Sequence, residues 1–110
     1  MTTLISPKLL YITCKDALEA QTIARELVES HLAACGNIIP NMQSIYFWEG
    51  SLQIDSEAIL VIKTMSNRVN ECIEKIKKTH SYKIPCILEI DIRAGHEEYL
   101  NWLAGQTLLP

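Results

Sequence analysis

Apolar and polar positions along the 110-residue chain follow two rhythms, one of period two and one close to 3.6, and each marks a predicted element. Lys8 to Thr13 is an apolar, strand-like run. After it, Ala20, Ile23, Ala24, Leu27 and Val28 fall at the spacing of a helix packed on one face, with Glu19, Arg25, Glu26 and Glu29 largely on the other side. Asp16 followed by Glu19 predicts where that helix starts, as a variant of the capping box. Ile38 to Trp48 and Leu52 to Thr64 are rich in β-branched and aromatic residues. Glu49-Gly50-Ser51 between them is a turn signal, so the two runs predict a hairpin. Ser66 is the expected cap of a second helix with the stripe Val69, Cys72, Ile73 and Ile76. Lys75, Lys77 and Lys78 crowd its last turn, where cations suit the dipole. Pro85 opens a last long strand with Cys86, Leu88, Ile90 and Ile92 on one face and Glu89, Asp91 and Arg93 on the other. A short helix with Tyr99, Trp102 and Leu103 on one side closes the pattern near Gly105.

The order β-α-β-β-α-β with an extra C-terminal helix is that of a ferredoxin-like α+β sandwich, two helices covering one face of an antiparallel sheet. Eleven extended residues span about 37 Å, whereas a compact chain of this length is only about 35 Å across. The hairpin is therefore expected to reach past its own domain. Residues 1–110 show no repeat, linker or low-complexity tract and are read as a single domain. With 48% apolar residues and a formal charge of −3, the chain has no reason to stay disordered. Its mild acidity argues against a nucleic-acid partner. No apolar run approaches the ~20 residues of a membrane span, and no secretory signal is read at Met1 to Lys8, so the expected compartment is the cytoplasm and no membrane partner is expected. The high apolar fraction leaves room for a covered partner surface.

Familiar catalytic and nucleotide-binding motifs are absent: there is no Walker loop, no dinucleotide fingerprint, no nucleophile elbow, and His96-Glu97-Glu98 lacks the second histidine of a zinc-protease helix. The trio Tyr46-Phe47-Trp48 is more readily packing than a base-stacking platform. Cys14, Cys35, Cys72 and Cys86 show no C-x-x-C spacing and in a reducing compartment are thiols. In the predicted topology the first and last strands lie side by side and antiparallel, which brings Cys14 near Cys86. The second helix ends at the same end of the sheet and delivers His80. Two sulfurs with an imidazole suit Cu(I) or Zn(II), although buried cysteines commonly act only as small apolar residues. A Cys14 nucleophile with His80 as base is also conceivable, but no orienting third residue is evident. Cys35 and Cys72 fall near apolar positions and are read as core, and His31 as a partner of the first helix's C-terminal dipole. Lys75, Lys77, Lys78 and Lys83 could meet an anion, though such clusters are commonly a solvated helix end.

Several stretches, taken together, resemble the CutA family of divalent-cation tolerance proteins. They are Thr13-Cys14, Leu32-Ala33-Ala34-Cys35, Asn37-Ile38-Ile39-Pro40, Ser44-Ile45-Tyr46 with Trp48 and Gly50, Asp55-Ser56-Glu57, Ile62-Lys63-Thr64, His80 with Tyr82 and Pro85, and Tyr99-Leu100-Asn101-Trp102. The resemblance runs from about residue 8 to 104. It implies a non-enzymatic homotrimer whose long hairpin strands pair between subunits and which acts in tolerance of copper and other divalent cations. It also implies metal binding through a cysteine, a histidine and a glutamate, which fall by position on Cys14, His80 and Cys86. The chain departs from the family there: His80-Ser81-Tyr82-Lys83-Ile84-Pro85-Cys86 lacks both of the usual carboxylates, and Gly36 stands where valine is usual. Cys86 in place of a carboxylate favours copper, or zinc, over hard cations, while Lys83 opposes any cation. The alternative expectation is a trimeric signalling or structural protein that binds a small anion or a partner protein at its intersubunit clefts, on the strength of Lys63, Lys83 and Glu57 beside the aromatic hairpin.

Overall fold

A computed structural model describes residues 4–108, so the ends of the 1–110 domain lie outside the described residues. Among the described residues the chain forms β1 (Pro7–Cys14), α1 (Ala17–Glu29), β2 (Cys35–Trp48), β3 (Ser51–Met65), a 3-10 turn (Ser66–Arg68), α2 (Val69–Thr79), β4 (Ile87–Asp91) and α3 (Glu97–Gln106). The strands make one antiparallel sheet in the order β2-β3-β1-β4. Alternation along β1 sends Leu10, Ile12 and Cys14 to the side covered by α1 and α2. There they meet Leu60 and Ile62 of β3, Ile23 and Leu27 of α1, and Cys72 and Ile76 of α2 in one core. Full burial of each large apolar side chain there is worth about 1.5 to 3 kcal/mol over leaving it in water.

α1 starts as its sequence dictates. Asp16 Oδ1 accepts the Glu19 N–H at 2.8 Å, and Glu19 Oε1 reaches back to the Lys15 N–H at 3.0 Å. These bonds satisfy donors that a helix start leaves unpaired. α2 departs from expectation. Ser66 does not cap it: its Oγ accepts the Ser6 N–H at 2.9 Å, and α2 begins at Val69 without a side-chain cap.

Glu49 and Gly50 both have positive φ, the backbone of a tight hairpin turn. Nearer the body of the sheet, Ile39 pairs with Ile59 but Met42 pairs with Glu57, so β2 carries one extra residue at Pro40-Asn41. Proline has no N–H to lose at such a bulge. The bulge also reverses the alternation of β2: beyond it, Met42, Ser44, Tyr46 and Trp48 share the face opposite the helices, and Ile45 and Phe47 take the other. The hairpin gives the molecule extents of 46 × 27 × 24 Å, with a radius of gyration of 14.8 Å where a compact chain of this length would show about 13 Å. At its tip Ile45, Phe47, Leu52 and Ile54 stand beyond the helices, Phe47 73% exposed.

The last strand is five residues long rather than a long one from Pro85. Its apolar set turns away from the helices: only Ile87 packs on the main core, while Leu88 and Ile90 are exposed on the open face. The register explains this, because Ile87 pairs with Ile12 and Glu89 with Leu10. Lys8 meets Glu89 at 3.4 Å and also Asp91 at the sheet margin. α3 is anchored at the end of the sheet by Leu103, which packs with Ala34 and Met65. Lys63 Nζ donates to Tyr99 Oη at 3.3 Å. Cys72 is core as expected, and Cys35 packs half-buried against the smaller cluster of α3. His31 serves α3 rather than the dipole of α1: it sits at φ 61 past the helix end, and its Nδ1–H donates to the Gln106 carbonyl at 3.0 Å.

Candidate functional site

Two neighbouring regions carry the polar chemistry, and the loop from His80 to Cys86 joins them. The first lies on the helix side. Cys14 ends β1, Glu19 stands in the first turn of α1, and His80 follows α2. One ligand-type atom of each lies within 4.8 Å of the other two. The topology thus brings Cys14 and His80 together as the sequence suggested. The third group is Glu19, not Cys86. Cys86 reaches the same end of the sheet but, next to Ile87, it follows Leu88 onto the open face, where it lines a cleft with Tyr11 and Thr13. Same end and opposite faces is the consequence of period-two alternation.

His80 is held from both sides. Its Nε2 lies 2.8 Å from the Thr13 carbonyl and its Nδ1 lies 3.0 Å from the Tyr82 N–H. A carbonyl can only accept and a backbone amide can only donate, so Nε2 carries the proton and Nδ1 is the acceptor, the neutral tautomer. Glu19 Oε1 stands 3.8 Å from Nδ1, too far for a hydrogen bond. Burial pushes the Glu19 carboxyl up, but hydrogen bonds from Ser81 and from the Lys15 amide outweigh it and leave the pKa below its usual 4.5. Its Oε2 accepts the Ser81 N–H at 3.0 Å. Burial, reinforced by Glu19, Glu57 and Asp16, pushes the Cys14 thiol up to about 12. Among the described residues no hydrogen bond joins Cys14 to His80.

As folded, this group does not fit a resident metal ion. A ligating cysteine must be a thiolate and a ligating histidine needs a free lone pair. Here burial favours the neutral thiol and the imidazole lone pair is taken by the Tyr82 amide.

The second region is a cleft of about 660 Å³ on the open face. Its floor is Tyr11 and Thr13 of β1, its sides Tyr46 and Trp48 of β2 and Glu57 of β3, and its far wall Tyr82, Lys83 and Cys86. Tyr82 Oη donates to Glu57 Oε2 at 2.7 Å, and Tyr46 Oη to Asp55 Oδ2 at 2.5 Å. The Tyr82 phenol is raised well above 10, first by burial and then by the Glu57 carboxylate. Glu57 is nearly buried, and the Tyr82 ring packs tilted against His80 with centroids 4.7 Å apart. Sequence reasoning placed Glu19 only at the helix start and on the exposed side. The one available signal for more was that a capping-box glutamate is already engaged by backbone amides.

These features define a small α+β protein with a one-sided antiparallel sheet, a buried polar cluster at one end and an open-face cleft beside it. The chain matches the family described as CutA1 divalent ion tolerance protein over residues 8–106, and it belongs to that family. It is 42% identical over 96 residues to the divalent-cation tolerance protein CutA of Thermus thermophilus, covering 87% of this chain and 93% of that protein. A solved structure of that organism's protein superimposes with a TM-score of 0.89 at 40% identity, over 92% of this chain and 98% of the other. The CutA1 crystal structure from Ehrlichia chaffeensis gives 0.91 at 31% identity, over 97% and 100%. A CutA homolog of Xenopus laevis is 42% identical over 93 residues, which is 84% of this chain. The chain spans 62% of the Xenopus protein and 55% and 53% of chloroplastic relatives from Oryza sativa and Arabidopsis thaliana.

Proposed function

We propose that the protein acts in tolerance of, or response to, copper and other divalent cations, as a non-enzymatic homotrimer of ferredoxin-like subunits in the cytoplasm. The observation that carries this reading is membership of the CutA1 family across residues 8–106, together with near-full-length relatives named for divalent-cation tolerance. The trimer is supported by apolar surface that one subunit leaves open. Ile45, Phe47, Leu52 and Ile54 at the hairpin tip, and Leu88 and Ile90 on the open face, are exposed on a single chain. The absence of catalysis is supported by the state of the thiols: burial holds Cys14 up to about 12 and Cys72 up to about 11, so neither is a ready nucleophile at neutral pH. The four cysteines are free, which suits a reducing compartment. Since His80 is committed to hydrogen bonds, Cys14 lies in the core and Cys86 lies in the cleft, copper or zinc would be met as a cargo at groups open to solvent.

Native mass spectrometry of the reduced protein, alone and titrated anaerobically with Cu(I) and Zn(II), tests subunit number and bound metal together. Three subunits with retained metal is the expected result. A monomer that takes up neither ion sinks the proposal.

The cleft supports a second reading, a trimer that receives a small anionic ligand or partner protein, because Lys83 lines a volume large enough for a metabolite. A thermal shift with an anionic metabolite in metal-free buffer is its signature.

A further inference from the structure

We propose that Glu19 and His80, packed beside the buried Cys14, form a strut of hydrogen bonds to the Ser81 and Tyr82 amides that positions Tyr82 on the cleft wall, and that this group is not the one through which the chain meets a metal ion. The inference deepens the proposed cation role by excluding one site for it, and leaves the role itself to other residues.

Both ring nitrogens of His80 and both carboxylate oxygens of Glu19 already have a backbone partner. The His80 N–H donates to the Ile76 carbonyl at 2.8 Å and ends α2. Its ring bridges the last residues of β1 and the loop, Nε2–H to Thr13 and Nδ1 from Tyr82. Glu19 spends one oxygen on the Lys15 amide and the other on the Ser81 amide. A metal at Nδ1 would have to expel the Tyr82 amide, and a metal at Nε2 would orphan the Thr13 carbonyl. A metal at Glu19 would have to share an oxygen with the Lys15 or the Ser81 amide. The Cys14 side chain lies in the core, packed among Ile12, Ala58 and Ala20, and its burial favours the neutral thiol.

What the strut does is visible in the loop. With the Ser81 and Tyr82 amides both fixed, the Tyr82 ring packs against His80 at a tilt of 47° and its hydroxyl reaches the Glu57 carboxylate across the cleft wall. His80 is therefore a positioning residue that acts through Tyr82. It ties three elements to one loop: β1 through Thr13, α2 through its own backbone, and β3 through Tyr82 and Glu57.

The test uses the reduced full chain labelled with 15N. The ring nitrogens of His80 are followed before and after addition of Zn(II), and separately Cu(I). The expected result is an Nε2–H tautomer that neither ion disturbs, with metal affinity unchanged in Cys14→Ser and in His80→Gln. His80→Gln keeps a donor and an acceptor and is expected to keep the Tyr82 amide protected from hydrogen exchange. His80→Ala is expected to open that amide to exchange. A metal-dependent change at a His80 ring nitrogen, with affinity falling at least about tenfold in Cys14→Ser, overturns the proposal, because loss of even an outer-shell partner typically costs that much. Tyr82 amide protection identical in His80→Ala and the parent overturns the positioning role. A parent protein that binds neither ion leaves the strut standing and removes direct metal binding from the proposed function instead.

Discussion

Gly36 lies on the helix side of β2, where α1 passes closest to the sheet, and the clearest stability prediction follows from that approach. A Cβ added at Gly36 would sit 2.7 Å from Ala24 Cβ, 3.3 Å from Ile62 Cδ1 and 3.6 Å from Ala24 Cα. Carbon atoms in good contact stand about 3.5 to 4.0 Å apart. The Ile62 methyl can turn away, but Ala24 Cβ moves only with the backbone of α1, so the helix must lift by about 1 Å from a close-packed core. Overpacking of this kind costs about 1 to 3 kcal/mol. Removing a glycine returns about 0.4 to 1 kcal/mol through the unfolded chain. Gly36→Ala should therefore destabilise by about 1 to 2 kcal/mol, seen as a lower urea midpoint with unchanged slope at fixed protomer concentration. Ala24→Gly opens the space facing position 36, at a helix-propensity cost of about 1 kcal/mol. The double variant should be more stable than the sum of the singles, by about 1 kcal/mol of coupling. An unchanged or raised midpoint in Gly36→Ala, or strict additivity in the double variant, refutes the reasoning. The valine usual in the family at this position has no room here unless α1 stands further off.

Other consequences can be read more briefly. Phe47→Ser should leave the fold of one subunit within about 0.5 kcal/mol, since the ring is exposed at the hairpin tip. It should reduce the trimer seen by native mass spectrometry, and an undiminished trimer would show that the tip is not an interface. Tyr82→Phe strips the nearly buried Glu57 carboxylate of its hydroxyl donor and should cost about 1 to 3 kcal/mol in chemical denaturation; no loss would mean that the carboxylate finds water instead. Cys14 and Cys72 have folded pKa values of about 12 and about 11, raised by burial from 9.0. The native state thus keeps protons that the unfolded chain releases: the stabilisation is complete below pH 9 and is lost as pH rises through the folded values. Stability should fall by roughly 1.4 kcal/mol per pH unit per thiol in that window. Cys72→Ala, which has no thiol to titrate, should flatten the decline in pH-dependent denaturation, and an identical slope would show that the thiol is not held protonated.

Much of the fold was legible because its signals are local. The 3.6-residue stripe of α1, the Asp16–Glu19 start, the Glu49-Gly50 turn and the excess length of the hairpin each depend on a few neighbouring residues, and the structure retains them, with Val28 the one member of the stripe left exposed. What escaped was decided by pairing across the sheet. Leu88 and Ile90 read as a core face in isolation, because alternation shows that they share a side but not which side. The register with β1 settles that, by setting Ile87 opposite Ile12. The bulge at Pro40-Asn41 is of the same kind. One extra residue reverses the faces of everything beyond it, which is why Tyr46 and Trp48 enter the cleft while Phe47 points out.

The same physics governs the candidate site. Topology was enough to gather Cys14, His80 and Cys86 at one end of the sheet, because strand adjacency and direction follow from element order. It could not place them in one site, since sites are built on faces and the side taken by Cys86 is fixed by single-residue register. The hydrogen bonds then decide what the gathered residues can do. Proximity of sulfur, imidazole and carboxylate is common to a metal centre and to a buried polar brace. The two differ in which lone pairs remain free, and here the Tyr82 amide takes the one on the imidazole while the Lys15 and Ser81 amides engage both oxygens of Glu19. Those donors are backbone groups, present at every residue whatever its side chain. No motif of residue types can therefore distinguish the brace from the metal centre, and the path of the chain from His80 to Tyr82 can.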